Sequence, residues 1–132
     1  MALVSLPHAP MVGFKRNALS VTRGVMNEFE IVAQNQDGSS VNLTGLTVFF
    51  KAYKSRRIVE DDIRYVDPIV SLDSAGPYLN ITTPADGQIQ LLLVGILTEA
   101  IDPDLYWYDL WYEDALDNRI PLIDKAEFKI HE

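Results

Sequence analysis

The chain has 132 residues, 48% of them hydrophobic and 23% charged, the balance of a single folded domain with one core. A formal net charge of −8, from 19 acidic and 11 basic residues, repels phosphate backbones, so nucleic acid is not an expected partner. The absence of cysteine excludes disulfides, thiolate metal sites and thiol catalysis, which leaves packing to hold the fold.

Residues 1–18 carry Pro7, Pro10 and Gly13 among Leu3, Val4, Leu6, Met11, Val12 and Phe14, with no sustained period. They read as an extended N-terminal arm too apolar for a solvated tail. Leu6, Met11 and Phe14 are expected to be covered, either by the arm's own domain or by a neighbouring subunit. Met1 to Pro10 has no basic stretch followed by a long apolar one, and no apolar run reaches the roughly 18–20 residues of a membrane span. No membrane is expected as a partner.

From Ser20 the pattern turns to period 2, that of strands with one buried face. In Asn27 to Gln34, Phe29, Ile31 and Ala33 share the inner face. Asp37-Gly38-Ser39-Ser40 reverses the chain, with glycine supplying positive φ. Leu46, Val48, Phe50 and Ala52 then point inward, opposite Thr47, Phe49, Lys51 and Tyr53. Lys51, Lys54, Arg56 and Arg57 form the densest basic stretch, cancelled at once by Glu60, Asp61 and Asp62, and residues 55–62 read as a charged loop.

Ile63 to Leu72 is a candidate strand that Pro68 confines to an edge or breaks. Asp73-Ser74-Ala75-Gly76-Pro77 is a turn, Tyr78 to Thr83 a short strand, and Pro84-Ala85-Asp86-Gly87 another turn. Gln88 to Val94 has Ile89, Leu91 and Leu93 inward and Leu92 and Val94 outward, which suits a central strand. Leu97 to Ile101 is one helical turn, stopped by Asp102-Pro103. Leu105 to Glu113 is the most aromatic segment, with Tyr106, Tyr108, Leu110 and Tyr112 on one face and Trp107, Asp109 and Trp111 on the other. After the polar turn Asp114 to Arg119, the last strand runs from Ile120 to Ile130. About seven or eight short strands separated by frequent turns, with no long helical pattern, predict an all-β immunoglobulin-like antiparallel β-sandwich at 19–132, preceded by the arm at 1–18.

The chemistry of a site is sparse. His8 and His131 are the only histidines, so a Ser-His-Asp arrangement needs one of two terminal residues as its base. Asp61-Asp62 and Asp102-x-Asp104 could offer oxygens to Ca²⁺, but neither has the Asp-x-Asp-x-Asp-Gly spacing of a loop site, and solvated loop carboxylates are the commoner case. No catalytic residue, cofactor or metal is expected. Trp107, Trp111 and Tyr53 suit core packing first, a protein interface second and a sugar-stacking platform third. The candidate partner-binding residues are Leu6, Met11, Phe14, Trp107 and Trp111. The triplets Asn42-Leu43-Thr44 and Asn80-Ile81-Thr82 read as turn and strand chemistry rather than glycosylation sites.

Four stretches in one order, Ser20-Val21-Thr22-Arg23-Gly24, Asp37 to Gly45 leading into Leu46-Thr47-Val48-Phe49-Phe50, Ala85-Asp86-Gly87-Gln88-Ile89-Gln90-Leu91 and Tyr106-Trp107-Tyr108-Asp109-Leu110, resemble immunoglobulin-like domains of tailed-phage virion proteins. The chain is similar over about residues 20–130 to the N-terminal domain of siphophage baseplate upper proteins. The resemblance implies a non-enzymatic virion protein of the tail or baseplate, made in the host cytoplasm. Its partners would be other virion proteins and copies of itself in a homo-oligomer. A capsid decoration or head accessory protein, and a carbohydrate-binding or host-receptor-binding module, are the alternatives. The longer members carry a stalk or second domain beyond such a sandwich, and the arm at 1–18 lies outside the resemblance.

Overall fold

Strict alternation of buried and exposed side chains along short segments builds the molecule out of strands. The computed structural model describes residues 2–5, 18–35, 37–54 and 68–132, and of residues 2–5, 124 and 125 only the backbone. The strands are β1 (Ala2–Ser5), β2 (Leu19–Thr22), β3 (Asn27–Asn35), β4 (Thr47–Tyr53), β5 (Pro68–Asp73), β6 (Leu79–Thr83), β7 (Gln88–Leu93), β8 (Asp104–Glu113) and β9 (Arg119–His131). One helical turn, α1 (Gly95–Thr98), links β7 to β8, and a 3-10 turn over Pro84–Asp86 links β6 to β7.

Two sheets face each other, one ordered β1-β3-β7-β6 and the other β2-β9-β8-β4-β5. The expected sandwich is therefore present, with nine strands among the described residues; the addition is β1, inside the predicted arm. Every described pair is antiparallel except β2 with β9, which run parallel from Leu19 opposite Phe128 to Thr22 opposite His131. The N-terminal region thus touches both sheets, β1 lying along β3 and β2 along β9.

Between the sheets lie the inward sets read from the sequence, including Ile31 and Ala33 of β3, Val48, Phe50 and Ala52 of β4, and Ile89, Leu91 and Leu93 of β7. Phe50, Tyr108 and Phe128 meet at the centre. Phe50 stacks on Tyr108 with ring centroids 5.3 Å apart, and Phe128 sets its edge against both at 5.9 and 6.2 Å. Each such ring contributes roughly 2–3 kcal/mol by leaving water, and each aromatic pair about 1 kcal/mol more. All three rings come from neighbouring strands of the five-stranded sheet, β4, β8 and β9, and with no disulfide available they tie these strands together on its inner face.

Two register shifts between β8 and β9 let the consecutive residues Leu122 and Ile123 both enter the core, which an unbroken pleat forbids. They follow Pro121, which has no N–H to give the ladder. Pro68 opens β5 at a sheet edge, the place where a proline costs no ladder bond; the rest of the predicted charged loop and strand, residues 55–67, lies outside the described residues.

The helical turn falls two residues earlier than its sequence suggests, over Gly95–Thr98 rather than 97–101. Tertiary contact decides this. The turn between β2 and β3 packs on it so closely that a Cβ at Gly95 would stand 2.5 Å from the Gly24 carbonyl oxygen, and the Gly24 N–H donates to Thr98 Oγ1 at 3.0 Å.

Candidate functional site

The outward side of the five-stranded sheet gathers the aromatic and charged residues that the core does not use. Alternation along β8 sends Tyr106, Tyr108 and Leu110 inward and Leu105, Trp107, Asp109 and Trp111 outward. Register then sets their neighbours: on β4, Phe49 lies opposite Trp111, Lys51 opposite Asp109 and Tyr53 opposite Trp107. On β9, Glu127 lies opposite Trp107, Pro121 opposite Trp111 and Arg119 opposite Glu113.

The result is a connected strip. Phe49 stacks on Trp111 at 5.4 Å with the rings 14° from parallel. The Arg119 guanidinium lies over the same indole, 4.1 Å from its centroid, a cation–π contact. Arg119 Nη2 also donates to Asp109 Oδ2 at 3.4 Å, and Tyr53 donates its hydroxyl to Asp109 Oδ1 at 3.0 Å. Asp109 is 1% exposed and Tyr53 1%, so this carboxylate, though on the side away from the core, is a buried one engaged by donors on both oxygens. Its chemistry is that of an anchor holding Tyr53 and Arg119 in place.

Of the residues singled out in the sequence, Trp107 and Trp111 do share this face, Trp107 half-buried and Trp111 7% exposed. Leu6, Met11 and Phe14 lie outside the described residues. Two of the three rings of the imagined sugar platform, Tyr53 and Trp111, are covered, so the three do not form an open stacking surface. Arg119 and Phe49 were not singled out. Arg119 sits at the end of a polar turn in the sequence, and only the β8–β9 register brings it over Trp111. Leu105, 40% exposed, extends the face toward the end of the sandwich where β8 begins.

Other candidate chemistry is less developed. His131 meets Ser20 at 2.5 Å between the paired strands β2 and β9, but both side chains are exposed at the surface, and His8 lies outside the described residues. Among the described residues no group of three or more His, Asp or Glu is placed to hold a metal ion. Asp61 and Asp62 lie outside the described residues. The Asp102 carbonyl accepts the Tyr106 hydroxyl, and Asp104 Oδ1 accepts the N–H of Leu105. On the opposite sheet, a groove of ≈ 290 Å³ is lined by Glu30, Val32, Thr82, Gln88 and Gln90, all without aromatic rings. No described helix is long and apolar enough to cross a membrane.

Tyr106 carries a further mark of the fold. Near the start of β8, just after the turn that crosses between sheets, its hydroxyl donates 2.6 Å back to the Asp102 carbonyl, the tyrosine corner found in immunoglobulin-like sandwiches. Two residues on, where antibody domains place the second cysteine, stands Tyr108, fully buried against Phe50 and Phe128. Burial raises the phenol pKa of both tyrosines, with nearby carboxylates as the secondary cause, and keeps them neutral. The sheets match strands A-B-E-D and A′-G-F-C-C′ of that architecture, with β3 as B, β4 as C and β8 as F.

The chain is an immunoglobulin-like β-sandwich. Similar solved chains include one from the structure titled "Structural basis of T cell specificity and activation by the bacterial superantigen toxic shock syndrome toxin-1", 12% identical, covering 99% of this chain and 100% of that one with a TM-score of 0.50. Murine CRIg is 12% identical, covering 100% of this chain and 99% of its own with a TM-score of 0.46, and the RIG-5 IG1 homodimer 10% identical, covering 98% of each with a TM-score of 0.42. At such identities the likeness is one of fold alone. No family model and no curated protein matches the chain.

Proposed function

We propose that the chain is a non-enzymatic structural protein of a tailed-phage virion, in which the sandwich is a rigid body and the outward face of β8, with the N-terminal arm, contacts copies of itself and other virion proteins in the tail or baseplate. The carrying observation is the strip of Phe49, Trp111, Arg119 and Asp109 beside Trp107 and Leu105 on the outer side of the five-stranded sheet. Trp, Phe and Arg are the types enriched at protein interfaces and at their hot spots. The virion assignment is supported by the ordered sequence resemblance over residues 20–130.

A rigid sheet suits this role, because side chains fixed by register keep a docking surface constant while loops vary. Leu105→Glu is the informative variant, since this side chain is 40% exposed and its loss leaves the core untouched. Particles assembled with Leu105→Glu, Trp107→Ala or a chain lacking residues 2–18 should show reduced occupancy of this protein. Wild-type occupancy in all three would overturn the proposal. Glycan-array binding that Trp107→Ala abolishes would instead make the chain a receptor-binding module, and incorporation into heads rather than tails a capsid accessory protein.

A further inference from the structure

The path from β1 to β2 holds far more chain than it needs. Both strands lie on the same side of the sandwich, β1 as the outer neighbour of β3 and β2 as the outer neighbour of β9. Thr22 and Asn27 are joined by hydrogen bonds of 3.3 and 3.1 Å, so they mark a common level at one end. Ser5 pairs with Val32, five residues up β3 from Asn27, and Leu19 stands three residues up β2 from Thr22. At about 3.3 Å per residue and about 10 Å between sheets, Ser5 and Leu19 are separated by roughly 12 Å. About four extended residues cover that distance. The chain spends thirteen, residues 6–18, which reach about 43 Å when extended.

We propose that β1 is an exchangeable strand: in the assembly, Ala2–Ser5 of one copy pairs with Val32–Asn35 of a neighbouring copy, in the register seen within one chain. The inference rests on the reading that copies of this chain assemble. Exchange reproduces all four register pairs from Ala2 opposite Asn35 to Ser5 opposite Val32, so it forfeits no ladder contact. Only four residues on one sheet edge must detach, and among the described residues β1 has a single strand partner, β3. The surplus connector then decides what β1 can reach while β2 stays in its own sheet. Between free chains the balance favours the closed form, and copies held side by side in a particle reverse it by raising the local concentration of the neighbouring β3 edge.

The cysteine-free chain allows a direct test. Asn35 and Ala33 turn their N–H groups away from β1, toward Ser39 and Gly87, so Ala2 with Asn35 and Val4 with Ala33 are the narrow, non-hydrogen-bonded pairs that accept a disulfide. The variant Ala2→Cys with Asn35→Cys is assembled, oxidised and run on a non-reducing gel, with sedimentation of the same sample. Val4→Cys with Ala33→Cys serves if the first pair disturbs folding. Covalent multimers that reduction dissolves are the expected result. Deleting residues 8–15 leaves a connector long enough to close within one chain but too short to leave it, and should abolish those multimers. Assembled protein that carries only intrachain crosslinks overturns the exchange and leaves the assembly reading standing. Protein that sediments as single chains at every concentration and enters no particle overturns that reading, and the exchange with it.

Discussion

Tyr53 donates its hydroxyl to Asp109 Oδ1 across 3.0 Å on the outward side of β4 and β8, and each residue is 1% exposed. A carboxylate hidden to that degree survives because donors replace its water. Tyr53→Phe removes one of them and should cost about 1–2 kcal/mol. Asp109→Ala removes the acceptor that the phenol and Arg119 share and should cost more, about 3 kcal/mol. Urea denaturation of the two single variants and the double variant measures the coupling, expected near 1 kcal/mol. Additive losses would mean that the bond contributes nothing.

The hydrogen bond from Tyr106 to the Asp102 carbonyl, at 2.6 Å, makes a second prediction. Its ring is 4% exposed and fixes the start of β8 against the crossing turn. Tyr106→Phe keeps the ring and loses only the hydroxyl, so the carbonyl is left to partial solvent and stability should fall by about 1–1.5 kcal/mol. Amide exchange should speed up around residues 102–106 before it does in β3 or β7. Uniform acceleration across both sheets would show that the corner has no local role.

Most of the fold was legible because strands bury alternate residues and this chain alternates cleanly. Ile31 and Ala33, Val48 and Phe50, Ile89 and Leu91 lie inward as their spacing says. The centrality of β7 and β8 was visible in Leu92 and in Trp107, apolar residues on what should be a wet face. The bulges of β9 were not visible, since a shift that puts Leu122 beside Ile123 in the core depends on partners in β8. Nor was the position of α1, set by the backbone of Gly24 pressing on Gly95. At the candidate site, Trp107 and Trp111 were readable from composition and phase, whereas Arg119 over Trp111 was not, because an arginine at a turn gives no hint of which ring it will cover. The Asp-x-x-x-Tyr spacing of Asp102 and Tyr106 was a local signal for the corner that could have been used.

Gly87 and Gly38 should respond very differently to alanine, although both have positive φ, 67° and 88°. At Gly38 nothing lies within 4 Å of an added Cβ, so only the left-handed backbone is penalised, by about 1–2 kcal/mol. At Gly87 the Cβ would stand 2.6 Å from the backbone oxygen of Ala33 in β3 and 2.8 Å from that of Val41, in the segment that turns back to bond Ala33. That clash should raise the cost to about 3 kcal/mol or more, since Ala33 also accepts and donates in the surrounding ladder. Thermal or chemical unfolding of the two variants gives the order, and equal losses would place Gly87 outside any close contact.

The acid limb of stability should carry the signature of two turn carboxylates. Asp114 Oδ1 accepts the N–H groups of Asn118 and Leu116, each at 2.9 Å, and Oδ2 accepts the Asn118 amide at 3.3 Å. These bonds, the Asn118 N–H foremost, hold its pKa below the usual 3.8. Asp37 is likewise lowered, first by the Ser39 hydroxyl and then by the Ser39 N–H. In both, the folded chain prefers the ionised form more than the unfolded chain does, so the contribution is complete above 3.8 and fades as pH falls through that value toward the lower folded pKa. Wild-type protein should therefore lose thermal stability progressively as pH falls below about 4. Asp114→Ala with Asp37→Ala should melt at a lower temperature at neutral pH, and its curve should approach that of the wild type as the medium is acidified. Thermal melts across the acid range measure the gap between the two curves; a gap that stays constant with pH would show that the side-chain oxygens stabilise these turns without reference to their charge.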